Sequence, residues 1–81
     1  MDRLTQTSAV SAKPDPASVF RVESAGLSGW VVYRVGDQKT YRFLTQDLAV
    51  GHARRSAQDR RPSVVVVIEA DGTLVGGWEF P

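Results

Sequence analysis

Apolar and polar positions divide the chain into short alternating runs, one helical run and one continuous apolar run. Val19-Phe20-Arg21-Val22-Glu23 alternates with period two, Phe20 and Val22 on one side and Arg21 and Glu23 on the other, as a half-buried strand does. A glycine-bearing loop, Ser24 to Gly29, leads into Trp30-Val31-Val32-Tyr33-Arg34-Val35, whose β-branched and aromatic residues predict a second strand. Gly36 to Lys39 reads as a turn, and Thr40-Tyr41-Arg42-Phe43-Leu44 as the returning strand of a three-stranded meander. Val64-Val65-Val66-Val67-Ile68 is apolar at every position, the signature of a central strand covered on both faces, or at least poorly exposed. Asp71-Gly72 predicts a tight hairpin with both residues at its centre. It leads to a last strand, Leu74 to Phe80, which Gly76-Gly77 loosens, with a bulge expected there.

Between the third and fourth strands the period changes to that of a helix, from about Gln46 to about Arg60. Thr45 is placed to cap it and Asp47 suits the positive end of its dipole. Ala49, Ala53 and Ala57 recur every fourth residue, a stripe small enough to lie close on a sheet. Gly51 weakens the interior by about 1 kcal/mol relative to alanine, and Pro62 ends the run. The elements predict an α+β domain over residues 18–81, in the order β-β-β-α-β-β. One helix packs on one face of a mainly antiparallel sheet of four to five strands. Residues 1–17, small, polar and interrupted by Pro14 and Pro16, hold too little apolar surface to offset their ordering and predict a disordered tail.

Composition narrows the chemistry more than it names it. A chain of 81 residues without cysteine has room for one domain and neither disulfides nor thiolate-held zinc to staple it. No leader-like or membrane-spanning apolar run is present, which leaves a cytoplasmic protein with no membrane partner as the expectation. Net charge is only +1. Arginine far outnumbers lysine and asparagine is absent, a bias that a GC-rich bacterial genome accounts for without any function.

Catalysis finds little support. Nucleophilic mechanisms need a nucleophile, a base and an orienting group, yet the single histidine, His52, falls inside the helix, where a half-buried structural role is the simpler reading. Asp47, Glu69, Asp71 and Glu79 are scattered with no metal-ligand spacing, and Gly76-Gly77 lacks the residues of a phosphate loop. Glu69 and Glu79 would be a carboxylate pair only if the last hairpin set them face to face. We therefore expect no enzyme activity, no cofactor and no metal site. The stronger chemical feature is basic: Arg54, Arg55 and Arg61 project from the helix region, with Arg34, Lys39 and Arg42 on the hairpin before it.

Gly29-Trp30-x-Val32, the glycine turn at Gly36, Arg42 and Thr45 before the helix, Ala53-Arg54-x-x-Ala57 within it, the β-branched run and Asp71-Gly72 together resemble a family of short bacterial proteins known as domain of unknown function 2188. The resemblance covers roughly residues 28 to 80. It implies the same α+β fold and a bacterial origin, and it carries over no catalytic or binding residue.

The function these features favour is a non-catalytic binding or interaction module whose partner is another protein or a second copy of itself. Weak nucleic-acid binding through Arg54, Arg55, Arg61 and Arg34 is one alternative, and an accessory subunit of an enzyme complex is another. One helix covers only one face of the sheet. Val31, Tyr33 and Val35 form the more apolar side of the second strand, so the sequence assigns them to the helix and leaves Trp30, beside Val32 and Arg34, as an exposed contact anchor. On that assignment Trp30→Ala costs little stability and Tyr33→Ala costs about 3 kcal/mol or more in chemical denaturation.

Overall fold

The structure, a computed structural model, describes residues 17–81. Five strands and one helix follow in order: β1 (Ser18–Ser24), β2 (Trp30–Arg34), β3 (Thr40–Phe43), α1 (Gln46–Gln58), β4 (Ser63–Ile68) and β5 (Leu74–Phe80), with a single 3-10 turn at Gly26–Ser28 after β1. The expected tail lies outside the described residues except for Ala17, which is exposed. The fold class is the one the sequence predicts, and every element begins and ends within two residues of its expected bounds.

The sheet runs β3-β2-β1-β4-β5. The β1–β2–β3 meander is antiparallel throughout, as is the β4–β5 hairpin. The two are joined where β4 lies parallel to β1, with Phe20 beside Val65 and Val22 beside Val67. A parallel neighbour needs a crossover, and α1 supplies it, returning the chain from the edge at β3 to the far side of β1. The Thr45 hydroxyl accepts the Leu48 N–H at 3.3 Å, capping α1. At the other end the Ser63 hydroxyl donates to the Ala57 carbonyl at 2.6 Å, tying the last turn of the helix to the start of β4. Ser63 is the buried polar residue of the core, and that bond satisfies it.

The core is a single layer between α1 and one face of the sheet. Ala49, Ala53 and Ala57 are fully buried against Phe20, Val22, Val32, Val65, Val67 and Phe80. Trp30, Phe43, Val50 and Trp78 pack around its margin, partly buried. The register carries this face across all five strands, since Val32 pairs with Val22 and Tyr41, and Trp78 with Val65.

This arrangement reverses the expected facing of β2. Val32 is buried and Trp30 packs on the core, so Trp30, Val32 and Arg34 look toward the helix, whereas Val31 and Tyr33 lie on the opposite face and Val35 is exposed beyond the strand. The reason is volume. An alanine stripe fills only the middle of the layer, and the wedges on either side take the large aromatics that sequence polarity alone placed outside. The β4 run meets its expectation in being poorly exposed but not in being covered on both faces. It is interior in the sheet, but Val64, Val66 and Ile68 face away from α1 and are only half-buried, so the strand is covered on one face.

The last hairpin is looser than a two-residue turn. Gly72 N–H bonds to the Glu69 carbonyl and Glu69 N–H to the Thr73 carbonyl, both at 2.9 Å, which encloses a three-residue loop. Gly72 takes φ of 89°, the positive value that a glycine supplies after such a turn. Beyond it the register shifts between Val67 and Ile68, so the irregularity falls at Val75 rather than at the glycine pair. Glu69 lies beside Thr73 while Glu79 pairs with Val64 at the other end of the strand, so these carboxylates do not face each other. Gly29, at φ of 94°, lies so close to the Phe43 carbonyl that any side chain there would collide with it.

Two contrasts check this packing. Val65→Asp places an unpaired charge in the buried layer and abolishes the cooperative thermal transition, whereas Val66→Asp, one residue along on the open face, retains it. Trp30→Ala costs about 3 kcal/mol, the lower end for emptying a large aromatic site. Tyr33→Ala costs about 1 kcal/mol, the worth of one hydrogen bond. Urea denaturation of the four variants decides both.

Candidate functional site

Three surfaces follow from the way α1 sits on the sheet. The helix is narrow and the sheet is five strands wide, so the helix-covered side has a hollow on each flank, and the opposite side has no covering element among the described residues.

The first hollow lies between α1 and the β2–β3 hairpin. His52, Ser56 and Arg60 recur at spacing four, so each successive side chain turns toward the hairpin beside the buried alanines. Facing them are Arg34 from β2, Lys39 from the turn and Tyr41 from β3, around a cavity of about 140 Å³ floored by Phe20 and Val32. The His52 ring packs against both Tyr41 and Phe43, at centroid distances of 4.6 and 5.1 Å. Lys39 Nζ stands 5.5 Å from the centre of the Tyr41 ring. Arg34 reaches Asp37 at 3.7 Å, the ion pair of this cleft among the described residues. Burial lowers the pKa of His52 below its usual value, and the nearby Arg55 charge lowers it further, so its imidazole is neutral at pH 7.

The second hollow lies between α1 and β5. Val50, Gly51, Arg54, Val67, Val75 and Trp78 line a shallow groove of about 410 Å³. The Arg54 guanidinium lies 5.1 Å over the Trp78 ring, and Arg61 lies 5.9 Å over Phe80. At partly exposed positions each such contact is worth about 0.5–1 kcal/mol. These two arginines therefore cap the aromatic margin of the core as well as presenting charge.

The third surface is the open sheet face. Register and burial place Val19, Val31, Tyr33, Val64, Val66 and Ile68 on it, all half-buried by their neighbours within the sheet. Across its middle, Tyr33 donates to Glu23 Oε2 at 2.8 Å, and Arg21 Nε stands 2.7 Å from the same oxygen. The guanidinium N–H is not directed at that oxygen, so the contact is an ion pair rather than a hydrogen bond. Burial raises the pKa of Tyr33, and the hydrogen bond to Glu23 raises it further. Tyr33 is thus a neutral donor at physiological pH.

The residues singled out in the sequence are distributed among these surfaces rather than gathered on one. Arg34 belongs to the hairpin cleft, Arg54 and Arg61 to the aromatic margin along β5, and Arg55 to the exposed side of the helix. Trp30 packs against the core margin and is no exposed anchor. Arg42, grouped with Arg34 and Lys39 in the sequence, pairs with Val31 and faces the open side. The grouping of His52 with Tyr41, Ser56 and Arg60 escaped the sequence reading. Its signal is the spacing of 52, 56 and 60, visible once the alanine stripe fixes the buried direction. Among the described residues no cluster of three or more His, Asp or Glu side chains forms a metal site. No described helix is long and apolar enough to cross a membrane.

Because the folded state holds the His52 pKa below 6.5, the unfolded chain takes up its proton first as pH falls. Stability is therefore full above about pH 6.5 and declines as pH drops from there through the folded-state pKa. His52→Gln removes this part of the pH dependence, and thermal melts of both proteins between about pH 5 and 8 measure it. Comparison with protein-family models, with curated proteins and with solved structures returns no match for this chain, so its function is argued from these three surfaces.

Proposed function

We propose that the domain is a non-catalytic interaction module that pairs with a second copy of itself through the open sheet face. The observation that carries this reading is the charge layout of that face. Val19, Val31, Val64, Val66 and Ile68 surround a central Arg21, and the face carries two cations, Arg21 and Arg42, and two carboxylates, Glu23 and Glu79. Arg21 and Glu23 already neutralise each other within the chain.

The other two charges occupy opposite corners. Arg42, on edge strand β3, is level with Val31, Glu23 and Ile68, while Glu79, on edge strand β5, is level with Val64 and Val19. A two-fold axis along the other diagonal of the face lays Arg42 of each copy over Glu79 of its partner. The strands of the two sheets then cross near a right angle, one of the two common ways that sheets stack. The contact is isologous, so one complementary pair of corners serves twice. A strongly charged partner would gain nothing from a face with no net charge, whereas a copy of the same face pairs opposite charges at two corners, each central Arg21 being neutralised by Glu23 of its own chain.

The face is small. Five strands about 4.8 Å apart and about six residues long give on the order of 20 Å by 20 Å. That lies at the low end for specific association, so the pairing is reversible rather than obligate. Nucleic-acid binding draws less support, because Arg34 is separated by the helix from Arg54 and Arg61, both of which lie on aromatic rings.

Sedimentation equilibrium between about 10 µM and 1 mM tests the proposal. The wild-type chain shifts from monomer to dimer over that range. Val66→Lys, beside the central Arg21, and Arg42→Glu, at the corner, each stay monomeric with an unchanged melting transition, and Arg42→Glu combined with Glu79→Arg restores the dimer. A wild-type chain that remains monomeric at 1 mM, or a double exchange that fails to restore pairing, overturns it.

A further inference from the structure

We infer that the cleft between α1 and the β2–β3 hairpin is a binding site for a single phosphate group, carried as a monoester or as the free ion. The inference is independent of the pairing proposed above, because the cleft opens on the helix-covered side and the pairing uses the other.

Three properties of the cleft lead there. First, its charge is unbalanced. Arg34, Lys39 and Arg60 line it against one carboxylate, Asp37, which engages Arg34. That leaves an excess of cationic charge over a floor of Phe20 and Val32, where a low dielectric strengthens its pull on an anion. Second, its polar groups come from different elements and directions. Lys39 and Tyr41 approach from the hairpin, and Ser56, Arg60 and the neutral imidazole of His52 from the helix side. Hydroxyl, ammonium, guanidinium and imidazole N–H donors arranged around a hollow suit a tetrahedral oxyanion. Arg34 is drawn to Asp37 at 3.7 Å, which leaves Lys39 and Arg60 as the cations that meet the anion. Third, the cavity is about 140 Å³, well below the roughly 300–1,000 Å³ of pockets that enclose a whole organic ligand. It admits a phosphate and leaves any attached sugar or base outside.

The site is also held in shape before any ligand arrives. His52 packs against both Tyr41 and Phe43, and the turn that carries Lys39 is closed by Asp37 N–H to the Arg34 carbonyl at 2.9 Å. Lys39 and Arg60 are both exposed, so they can be neutralised without disturbing the core.

The test is a titration followed by amide and His52 side-chain NMR shifts at fixed pH and ionic strength, at a protein concentration kept low enough to hold the monomer. Four probes are used: inorganic phosphate, adenosine 5′-monophosphate, and a short single-stranded oligonucleotide with and without a 5′-phosphate. Saturable shifts centred on His52, Ser56 and Arg60 with the first two probes are expected. The phosphorylated oligonucleotide should bind at least tenfold more tightly than its unphosphorylated twin. Lys39→Gln with Arg60→Gln should weaken phosphate at least tenfold while the melting temperature holds. If chloride at equal ionic strength produces the same shifts, or the double variant binds as the parent does, the cleft is no phosphate site. If the unphosphorylated oligonucleotide binds equally well, the domain recognises the diester backbone, and the single-group assignment is overturned.

Discussion

The close approach of α1 to the sheet is the contact on which the rest of this small domain depends. Three alanines at spacing four present almost no side chain beyond Cβ, so the helix rests directly on the valines of β1, β2 and β4. A short chain buries a smaller fraction of its unfolded surface than a large one, about 60% at this size, and gains most by packing densely what it does bury. Valine against alanine achieves that with little side-chain entropy lost on either side. The geometry then has a necessary consequence. A layer thinned at its centre diverges toward its margins, where the sheet twists away from the helix, and the space there has to be filled by longer side chains. Trp30 and Phe43 fill it on one flank, Trp78 and Phe80 on the other. Where they stop, the two hollows beside the helix begin.

The parallel pairing of β1 with β4 extends this constraint through the sheet. It brings the N-terminal meander and the C-terminal hairpin into one continuous surface, and it does so beneath the helix, where burial of Phe20, Val22, Val65 and Val67 stabilises both. Neither half has a sufficient core alone. The meander lacks a cover until α1 folds back over it, and an isolated two-stranded hairpin such as β4–β5 is marginal in water. The Ser63 hydroxyl bonded to the Ala57 carbonyl joins the two events, because it forms only when the helix end and the first residue of β4 are both in place.

How much of this could be read beforehand depends on which physical signal each feature carries. Element positions were legible because period-two and period-3.6 patterns, the Thr45 cap and the break at Pro62 are local properties of the chain. The facing of β2 was not. Both of its sides are largely apolar, Trp30 and Val32 on one and Val31, Tyr33 and Val35 on the other, and the small difference in polarity points the wrong way. The deciding quantity is the volume left beside an alanine helix, which belongs to the assembled layer and to no segment of it. The same limit explains the arginines. Sequence proximity grouped Arg34 with Arg42 and both with the helix cluster, yet alternation along the hairpin sends Arg34 to the helix side and Arg42 to the open side. The helix itself then separates Arg34 from Arg54 and Arg61. His52, Ser56 and Arg60 became legible as a set only once the buried direction of α1 was known.

Alternation in β2 also ties the two proposed surfaces to each other. Successive residues of one five-residue strand serve opposite sides: Val32 and Arg34 form the floor and wall of the hairpin cleft, and Val31 and Tyr33 lie on the open face proposed to meet a second copy. The strand backbone is held on both edges, by β1 and by β3, so a ligand in the cleft can turn the Arg34 side chain but cannot shift its backbone without straining the ladder that positions Tyr33. Packed strands of this kind resist continuous deformation and transmit displacement only where a second arrangement exists. The described residues offer β2 no such alternative register, because a slip of one residue would exchange its inner and outer side chains and bury Tyr33 against the alanines. The two surfaces therefore share a scaffold without sharing a switch. Occupancy of the proposed cleft site and the proposed pairing of the open faces are, on this fold, additive rather than coupled.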